Sequence, residues 1–250
     1  MEERSLAVLC DGTRLAAGIV VPDEPIGAVL LLHGIPSIAP SDPGDTGYPG
    51  VARRFAEHGW AAAWADLRSV RASKGSFSIE GWVRDARAVL DAVRSTNDLH
   101  EVPLALVGSS AGGAVATEVV LRGAPVDALV LLAAPATWVT YAGDARSGVD
   151  RILTEAGMAL SEETIANPEE WFAEFDSVTT ERSISGIKIP ILIVHGSVDD
   201  VVPVEHARRL SERAPRADLR IIEGAGHQLR KVDPAMELVY SWLDRVAGHR

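Results

Sequence analysis

Residues 102–113 read Val102-Pro103-Leu104-Ala105-Leu106-Val107-Gly108-Ser109-Ser110-Ala111-Gly112-Gly113, and this stretch decides the fold. An apolar run of strand length ends at a glycine, and a helix-forming run follows. Between them lies a Gly-x-Ser-x-Gly motif with Ser110 at its centre. Glycines at its ends lack the Cβ atoms that would collide where a strand and a helix approach closely, and the serine of such a turn is strained. The pattern is typical of a nucleophile elbow, which raises a serine hydroxyl above a sheet.

The motif alone leaves a second interpretation open. Glycine and serine are common in this chain, so the same pattern can arise by chance in a glycine-rich turn that only packs a helix on a strand. The choice between a nucleophile and a packing turn therefore depends on the rest of the sequence.

Composition bounds the class of protein. The chain has 250 residues, of which 47% are hydrophobic and 24% charged, as expected for one globular domain with a single large core. A net charge of −11 argues against nucleic acid or an anionic membrane surface as a partner. Cys10 is the one cysteine, so no internal disulfide can form, and its apolar surroundings predict a small buried side chain.

The sequence carries no signal for a membrane or for secretion. Met1–Arg4 is charged and no apolar signal core follows it. No apolar run approaches the roughly 18 residues that a spanning helix needs. We therefore expect a cytoplasmic protein without a membrane partner, and the sequence leaves its oligomeric state open.

Apolar runs and amphipathic segments alternate along most of the chain. A hairpin is predicted around the turn Asp11-Gly12, from strands Ser5–Cys10 and Leu15–Val21. Predicted buried strands follow at Ala28–Leu32, Trp60–Ala65, Leu104–Val107, Asp127–Ala133, Pro190–Val194 and Leu219–Ile222. Helices are predicted between them, including Tyr48–His58, Ile79–Arg94 and Pro234–Val246. This alternation predicts an α/β fold with a mostly parallel sheet and helices on both faces.

One interval, about 136–186, interrupts the alternation. It contains no convincing strand and is too long for a simple crossover. Short helices are predicted at Gly148–Ala156, Ser161–Ile165 and Pro168–Phe175. We interpret the interval as a small helical cap inserted into a single domain of residues 1–250, and two ordinary surface helices are the alternative.

A possible acid and a possible base follow the last two strands. The loop after the strand ending at Val194 contains Asp199, and the loop after the strand ending at Ile222 contains His227. Catalytic groups in such sheets sit at the carboxyl ends of strands. A serine hydroxyl needs a base that takes its proton and an acid that orients the base.

Here the sequence resembles the α/β-hydrolase superfamily, in particular its small serine esterases and serine aminopeptidase-like members. The resemblance spans about residues 28–243 and rests on Leu32-His33-Gly34, Asp66-Leu67-Arg68, Gly108-Ser109-Ser110-Ala111-Gly112, His195-Gly196-Ser197-Val198-Asp199 with Val202-Pro203, and Gly224-Ala225-Gly226-His227. It implies an α/β-hydrolase fold, Ser110 as nucleophile, His227 as general base and Asp199 as the orienting acid. Asp200 remains a rival acid, because a shift of the loop by one residue would exchange the two.

An acyl-transfer site also needs two N–H donors for the oxyanion. Ala111, directly after the proposed nucleophile, supplies one, and the resemblance implies Ile35 for the other. The sequence departs here from the His-Gly-Gly-Gly pattern of some lipases, because Ile35-Pro36 follows Gly34. His33 is interpreted as a support for this loop rather than as a chemical group.

The substrate side is less determined. Trp138, Tyr141, Trp171 and Phe172 are candidates for lining a pocket under the cap, and simple core packing is the alternative for each. The loop Pro36–Pro49 is either a gate beside the oxyanion site or a plain surface loop. No metal-ligand spacing and no nucleotide-binding motif are present, so neither a metal nor a cofactor is expected.

Together these features predict a serine hydrolase that cleaves a small-molecule carboxylic ester through an acyl-enzyme. The same groups would serve a peptidase or amidase, a thioesterase, an acyltransferase or an enzyme that cleaves carbon–carbon bonds. A non-catalytic ligand-binding protein on the same fold is the alternative from a different class.

Overall fold

The computed structural model describes residues 1–38, 42–96, 99–138, 144–214 and 216–248. The chain begins with the predicted hairpin, formed by β1 (Glu2–Cys10) and β2 (Thr13–Val21). Asp11 and Gly12 at its turn have φ values of 49° and 74°, and the type I′ turn common in two-residue hairpins requires positive φ at both positions.

Six further strands extend the sheet, and all of them pair in parallel with one another. They are β3 (Gly27–Leu32), β4 (Trp60–Asp66), β5 (Leu104–Ser109), β6 (Ala128–Leu132), β7 (Ile191–Gly196) and β8 (Asp218–Ile222). The order across the sheet is β1-β2-β4-β3-β5-β6-β7-β8, and β2 joins the parallel part through an antiparallel pairing with β4. The predicted mostly parallel sheet is therefore confirmed, and its carboxyl edge collects the loops that follow β3 to β8.

Nine helices occur in the described ranges. They are α1 (Gly47–Glu57), α2 (Ile79–Arg94), α3 (Ala111–Leu121), α4 (Ala145–Thr154), α5 (Glu162–Ala166), α6 (Pro168–Ser177), α7 (Thr180–Ile184), α8 (Glu205–Arg213) and α9 (Asp233–Gly248). Within those ranges, every helix is too short or too polar to cross a lipid bilayer.

The sheet separates two apolar cores. Along β3, Leu30 and Leu32 face the core shared with α2, α3 and α8, whereas Val29 and Leu31 face the core shared with α1 and α9. This alternation places apolar side chains on both faces of the strand, which explains why the run from residue 28 to residue 32 has no polar residue. The predicted helices on both faces are confirmed.

The long interval between β6 and β7 contains α4 to α7, so the predicted short helices are present. α4 and α5 pack against α6, whereas α7 packs against α3 and α8 of the main body. The predicted cap would therefore consist of α4 to α6, because α7 packs with helices of the layer that covers the sheet.

Candidate active site

The turn between β5 and α3 places Ser110 at the carboxyl edge of the sheet. Ser110 has φ 52° and ψ −126°, a conformation that an L-residue rarely adopts. A Cβ on Gly108 would lie 2.4 Å from the carbonyl oxygen of Gly112. A Cβ on Gly112 would lie 2.5 Å from the carbonyl oxygens of both Leu32 and His33. Since all these neighbours are backbone atoms, only glycine fits at either position.

Hydrogen bonds on both sides hold the strained residue in place. The N–H of Ser110 donates to the carbonyl oxygen of Leu132 on β6 at 2.8 Å, and the N–H of Gly113 donates to the carbonyl oxygen of Ser110 at 2.8 Å. A conformation of this kind costs about 1–3 kcal/mol and persists only where its surroundings enforce it. The strain expected for the elbow serine is therefore present, and the sheet and the helix both maintain it.

Both residues predicted to supply oxyanion donors lie near Ser110. Ala111 is the first residue of α3, so its N–H has no partner within the helix. Gly34 approaches so closely that a Cβ on it would lie 2.8 Å from the Cβ of Ser110. Ile35, the next residue, lines the same cavity as Ser110 and Ala111. The structure thus brings both predicted oxyanion residues to the serine.

His33 is bonded into the loop through both ring nitrogens. Its Nδ1 lies 2.7 Å from the carbonyl oxygen of Gly34, and its Nε2 lies 3.0 Å from the N–H of Leu67. Nδ1–H therefore donates and Nε2 accepts, which requires the neutral ring. Burial lowers the pKa of His33 to about 4, so the ring stays neutral near pH 7. These contacts support the interpretation of His33 as a loop support.

Asp199 and His227 are in direct contact. Nδ1 of His227 lies 2.8 Å from Oδ2 of Asp199. Because a carboxylate can only accept, Nδ1–H donates, and Nε2 is left as the acceptor nitrogen. Oδ1 of Asp199 accepts from the N–H groups of Val201 at 2.9 Å and Val202 at 2.8 Å. Asp199 is buried whereas Asp200 is exposed, so the geometry favours Asp199 as the partner of His227.

A close approach of two loops makes this contact possible. A Cβ on Gly196, at the end of β7, would lie 2.2 Å from the carbonyl oxygen of Ala225 in the loop that carries His227. His195, fully buried beside it, has Nε2 2.8 Å from the carbonyl oxygen of Val202 and 3.3 Å from Oδ2 of Asp199. Burial lowers the pKa of His195, so its neutral ring donates from Nε2 and braces the loop that holds the acid.

Ser110 and His227 line one cavity of about 880 Å³ at the carboxyl edge of the sheet. Of the four aromatic candidates for its lining, Trp138 is present there, with its Nε1 donating to the carbonyl oxygen of Val178 at 2.9 Å. Tyr141 lies outside the described residues.

Trp171 and Phe172 do not line this cavity, which corrects their predicted place in the substrate pocket. Trp171 is buried against Phe77, to whose carbonyl oxygen its Nε1 donates at 3.2 Å. Phe172 packs over Gly148 of α4, where an added Cβ would lie 3.3 Å from its ring. The apolar face of α6 therefore packs against the core and against α4, as the alternative interpretation held.

Several polar side chains of the cavity were not identified from the sequence, among them Asp45, Tyr48, Arg71, Arg230 and Lys231. Arg230 donates two hydrogen bonds to Asp45, at 2.7 and 2.5 Å, and the ammonium of Lys231 lies 2.9 Å from the same carboxylate. The guanidinium of Arg230 also lies 5.6 Å from the ring centre of Tyr48. These contacts tie the described part of the loop Pro36–Pro49, from residue 42 onward, to the segment that follows His227.

Within the described ranges, no group of three or more His, Cys, Asp or Glu side chains is arranged to hold a metal ion. The cavity offers a strained serine, a carboxylate-bound histidine, backbone N–H groups, and four cationic side chains beside three carboxylates.

The fold and the elbow define the class, an α/β-hydrolase. The sequence model of the family described as serine aminopeptidase, S33, matches residues 23–170, which is more than half of the chain. The chain therefore belongs to this family.

Curated relatives resemble the chain over part of their length. YfhR of Escherichia coli (strain K12) is 29% identical over 149 residues, which are 58% of this chain and 45% of the relative. YfhR of Salmonella typhimurium is 30% identical over 165 residues, 64% of this chain and 52% of the relative. The chain spans about half the length of these relatives.

Solved structures match nearly the whole chain. Est1E from Butyrivibrio proteoclasticus has a TM-score of 0.72 at 19% identity, with 98% of this chain and 99% of that chain covered. The α/β hydrolase GrgF from Penicillium sp. sh18 has a TM-score of 0.76 at 17% identity, with 99% and 98% covered. At such low identity these matches show a common fold.

Proposed function

We propose that this protein is a serine hydrolase that cleaves carboxylic esters through an acyl-enzyme, with Ser110 as nucleophile, His227 as general base and Asp199 as the acid that orients His227. The observation that carries the proposal is the 2.8 Å contact between Asp199 and His227, on the cavity that also exposes Ser110. Nδ1–H of His227 is engaged by the carboxylate, which leaves Nε2 to take the serine proton.

The proposed reaction has two balanced halves. His227 takes the proton of Ser110 as its oxygen attacks the ester carbonyl, and the N–H groups of Ala111 and Ile35 stabilise the oxyanion. The carbon–oxygen bond to the alcohol then breaks, and His227 gives the proton to the departing alcohol. Water, deprotonated by His227, attacks the acyl-enzyme in the same way, and Ser110 recovers its proton as the carboxylic acid leaves.

A fluorophosphonate probe tests this assignment directly, because it reacts with activated serines. We expect the wild type to be labelled, Ser110→Ala to lose labelling, and Ser109→Ala to retain it. Ser109 is the matched control, since it is the neighbouring serine and also lines the cavity. An unlabelled wild-type protein would contradict the enzyme hypothesis. Labelling that persists in Ser110→Ala would contradict the choice of nucleophile.

Peptide cleavage is the second candidate, because the matching family is described as serine aminopeptidase. An aminopeptidase needs an anion that binds the α-ammonium group of its substrate. Of the three carboxylates that line the cavity, Asp42 and Glu155 are exposed to solvent, and the half-buried Asp45 is already bound by Arg230 and Lys231. We therefore favour esters. Turnover of aminoacyl p-nitroanilides at a higher kcat/KM than matched p-nitrophenyl esters would reverse this preference.

A further inference from the structure

The charges around the cavity differ in sign from those of the chain as a whole. The chain has a net charge of −11, yet four cationic side chains and three carboxylates line the cavity. The cations are Arg71, Arg151, Arg230 and Lys231. A cleft lined by an excess of one charge concentrates ligands of the opposite charge. The cavity therefore favours an anionic group over a cationic one.

Arg71 is the cation that a strained, hydrogen-bonded loop holds at the cavity wall. Its backbone has φ 45°, although it is not glycine. The loop that carries it is closed by hydrogen bonds from the N–H of Val70 to the carbonyl oxygen of Leu67 and from the N–H of Ser73 to the carbonyl oxygen of Val70. Such strain in a tightly bonded loop is characteristic of functional positions.

The same loop is fixed to the segment that follows α4. The Ser69 hydroxyl accepts from the N–H of Ala159 at 2.6 Å and donates to its carbonyl oxygen at 3.1 Å. Ser69 itself has φ 66°. Two residues with left-handed backbone, one of them anchored, thus hold the Arg71 side chain at the cavity wall.

The guanidinium of Arg71 is held on one side and open on the other. Its Nη1 donates to Oδ1 of Asp66 at 2.9 Å, and the Asp66 side chain is only 12% exposed whereas that of Arg71 is 57% exposed. A guanidinium has five N–H donors, so one such bond leaves an outer edge for a ligand. Arg230 differs, since two of its nitrogens are bound to Asp45.

The charge of Arg71 also influences two groups near the nucleophile, His33 and Tyr48. Burial is the main cause of the low pKa of His33, and the positive charge of Arg71 adds to it. Burial raises the pKa of Tyr48, while the Ser109 hydroxyl and the charges of Arg230 and Arg71 act in the opposite direction. Arg71 therefore acts on groups that adjoin Ser110.

We propose that the outer edge of Arg71 binds a carboxylate carried by the substrate, so that the preferred esters are half-esters of dicarboxylic acids. This specificity proposal rests on the proposed ester hydrolysis. A guanidinium matches the two oxygens of a carboxylate through parallel hydrogen bonds. The Asp66 carboxylate holds one edge of the Arg71 guanidinium in place. Arg230 and Lys231 together exceed the single negative charge of Asp45, which also favours an anion in the cavity.

The test compares p-nitrophenyl half-esters of adipic and suberic acid with neutral analogues in which an acetyl group replaces the free carboxylate. We expect the wild type to prefer the half-esters by about ten- to hundredfold in kcat/KM, the effect of a charged hydrogen bond. Arg71→Gln removes the charge and leaves a shorter, polar side chain, and we expect it to abolish the preference mainly through KM. Arg71→Lys should restore part of it.

Arg87→Gln is the matched control, because Arg87 lies on α2, pairs with Asp91 and does not line the cavity. It should leave the preference within about twofold. A preference that survives Arg71→Gln, or its absence in the wild type, would overturn the specificity proposal while leaving ester hydrolysis intact.

A binding experiment tests the specificity proposal without relying on turnover. If neither the half-esters nor their neutral analogues were hydrolysed, that result would count against the proposed ester hydrolysis itself. Monoethyl adipate is titrated calorimetrically into Ser110→Ala and into Ser110→Ala with Arg71→Gln. We expect Kd to rise at least about tenfold when the guanidinium is removed. Equal Kd values in the two proteins would overturn the proposal.

Discussion

Replacing Ser110 by glycine should give a more stable protein than replacing it by alanine. Both variants lose the hydroxyl, which makes no capping hydrogen bond to α3, so its loss is the same in each. Alanine keeps the Cβ that is strained at φ 52°, at a cost of about 1–3 kcal/mol. Glycine removes that strain but loses about 0.5–1 kcal/mol through its greater freedom in the unfolded chain. The difference should favour glycine by about 0.5–2 kcal/mol.

Urea unfolding of the two variants, followed by circular dichroism, measures this difference in the free energy of unfolding. For a chain of this size each kcal/mol corresponds to about 2–4 °C in Tm, so thermal melting provides a second measurement. The wild type should resemble the alanine variant, because serine carries the same Cβ. An alanine variant as stable as the glycine variant, or more stable, would refute the view that the elbow stores backbone strain.

Two further predictions follow from buried contacts. Gly112→Ala places a Cβ 2.5 Å from two backbone oxygens and should lower the free energy of unfolding by about 1–3 kcal/mol or more. Gly248→Ala is the control, because its Cβ meets nothing within 4 Å and should not lower the free energy of unfolding. Urea titration of both variants measures the difference. His33 stays neutral in the folded protein down to about pH 4, but in the unfolded chain it is protonated below about pH 6.5. The free energy of unfolding should therefore fall as the pH decreases from about 6.5 to about 4, by up to about 3 kcal/mol from this residue. His33→Gln should make this pH dependence less steep. Burial also lowers the pKa values of His195 and His206, which should account for part of the remaining slope. An unchanged slope in His33→Gln would contradict the assignment.

Local patterns made the fold predictable. Strands buried on both faces are apolar without interruption, as in residues 28–32, and such runs are visible in the sequence. The elbow was predictable because steric conflict at Gly108 and Gly112 leaves no other residue type. The acid and the histidine could be proposed from chain order, since parallel strands bring their carboxyl ends to one edge.

The remaining features depend on partners that sequence spacing does not reveal. Trp171 belongs to an apolar helix face, and periodicity shows that such a face is buried but not what it contacts. Asp45 and Arg230 form their ion pair across 185 positions of the chain. The left-handed backbone of Arg71 could not be predicted from the sequence either, because arginine rarely adopts that conformation.

The central claim is that Asp199, rather than Asp200, orients His227 for proton transfer from Ser110. The most direct measurement compares kcat for p-nitrophenyl butyrate in the wild type, Asp199→Asn and Asp200→Asn. An amide at position 199 keeps the shape of the side chain but favours the wrong histidine tautomer, so kcat should fall by about ten-thousand-fold. Asp200 is exposed, and its amide variant should retain the wild-type kcat. A large loss in Asp200→Asn, or near-normal turnover in Asp199→Asn, would contradict the account.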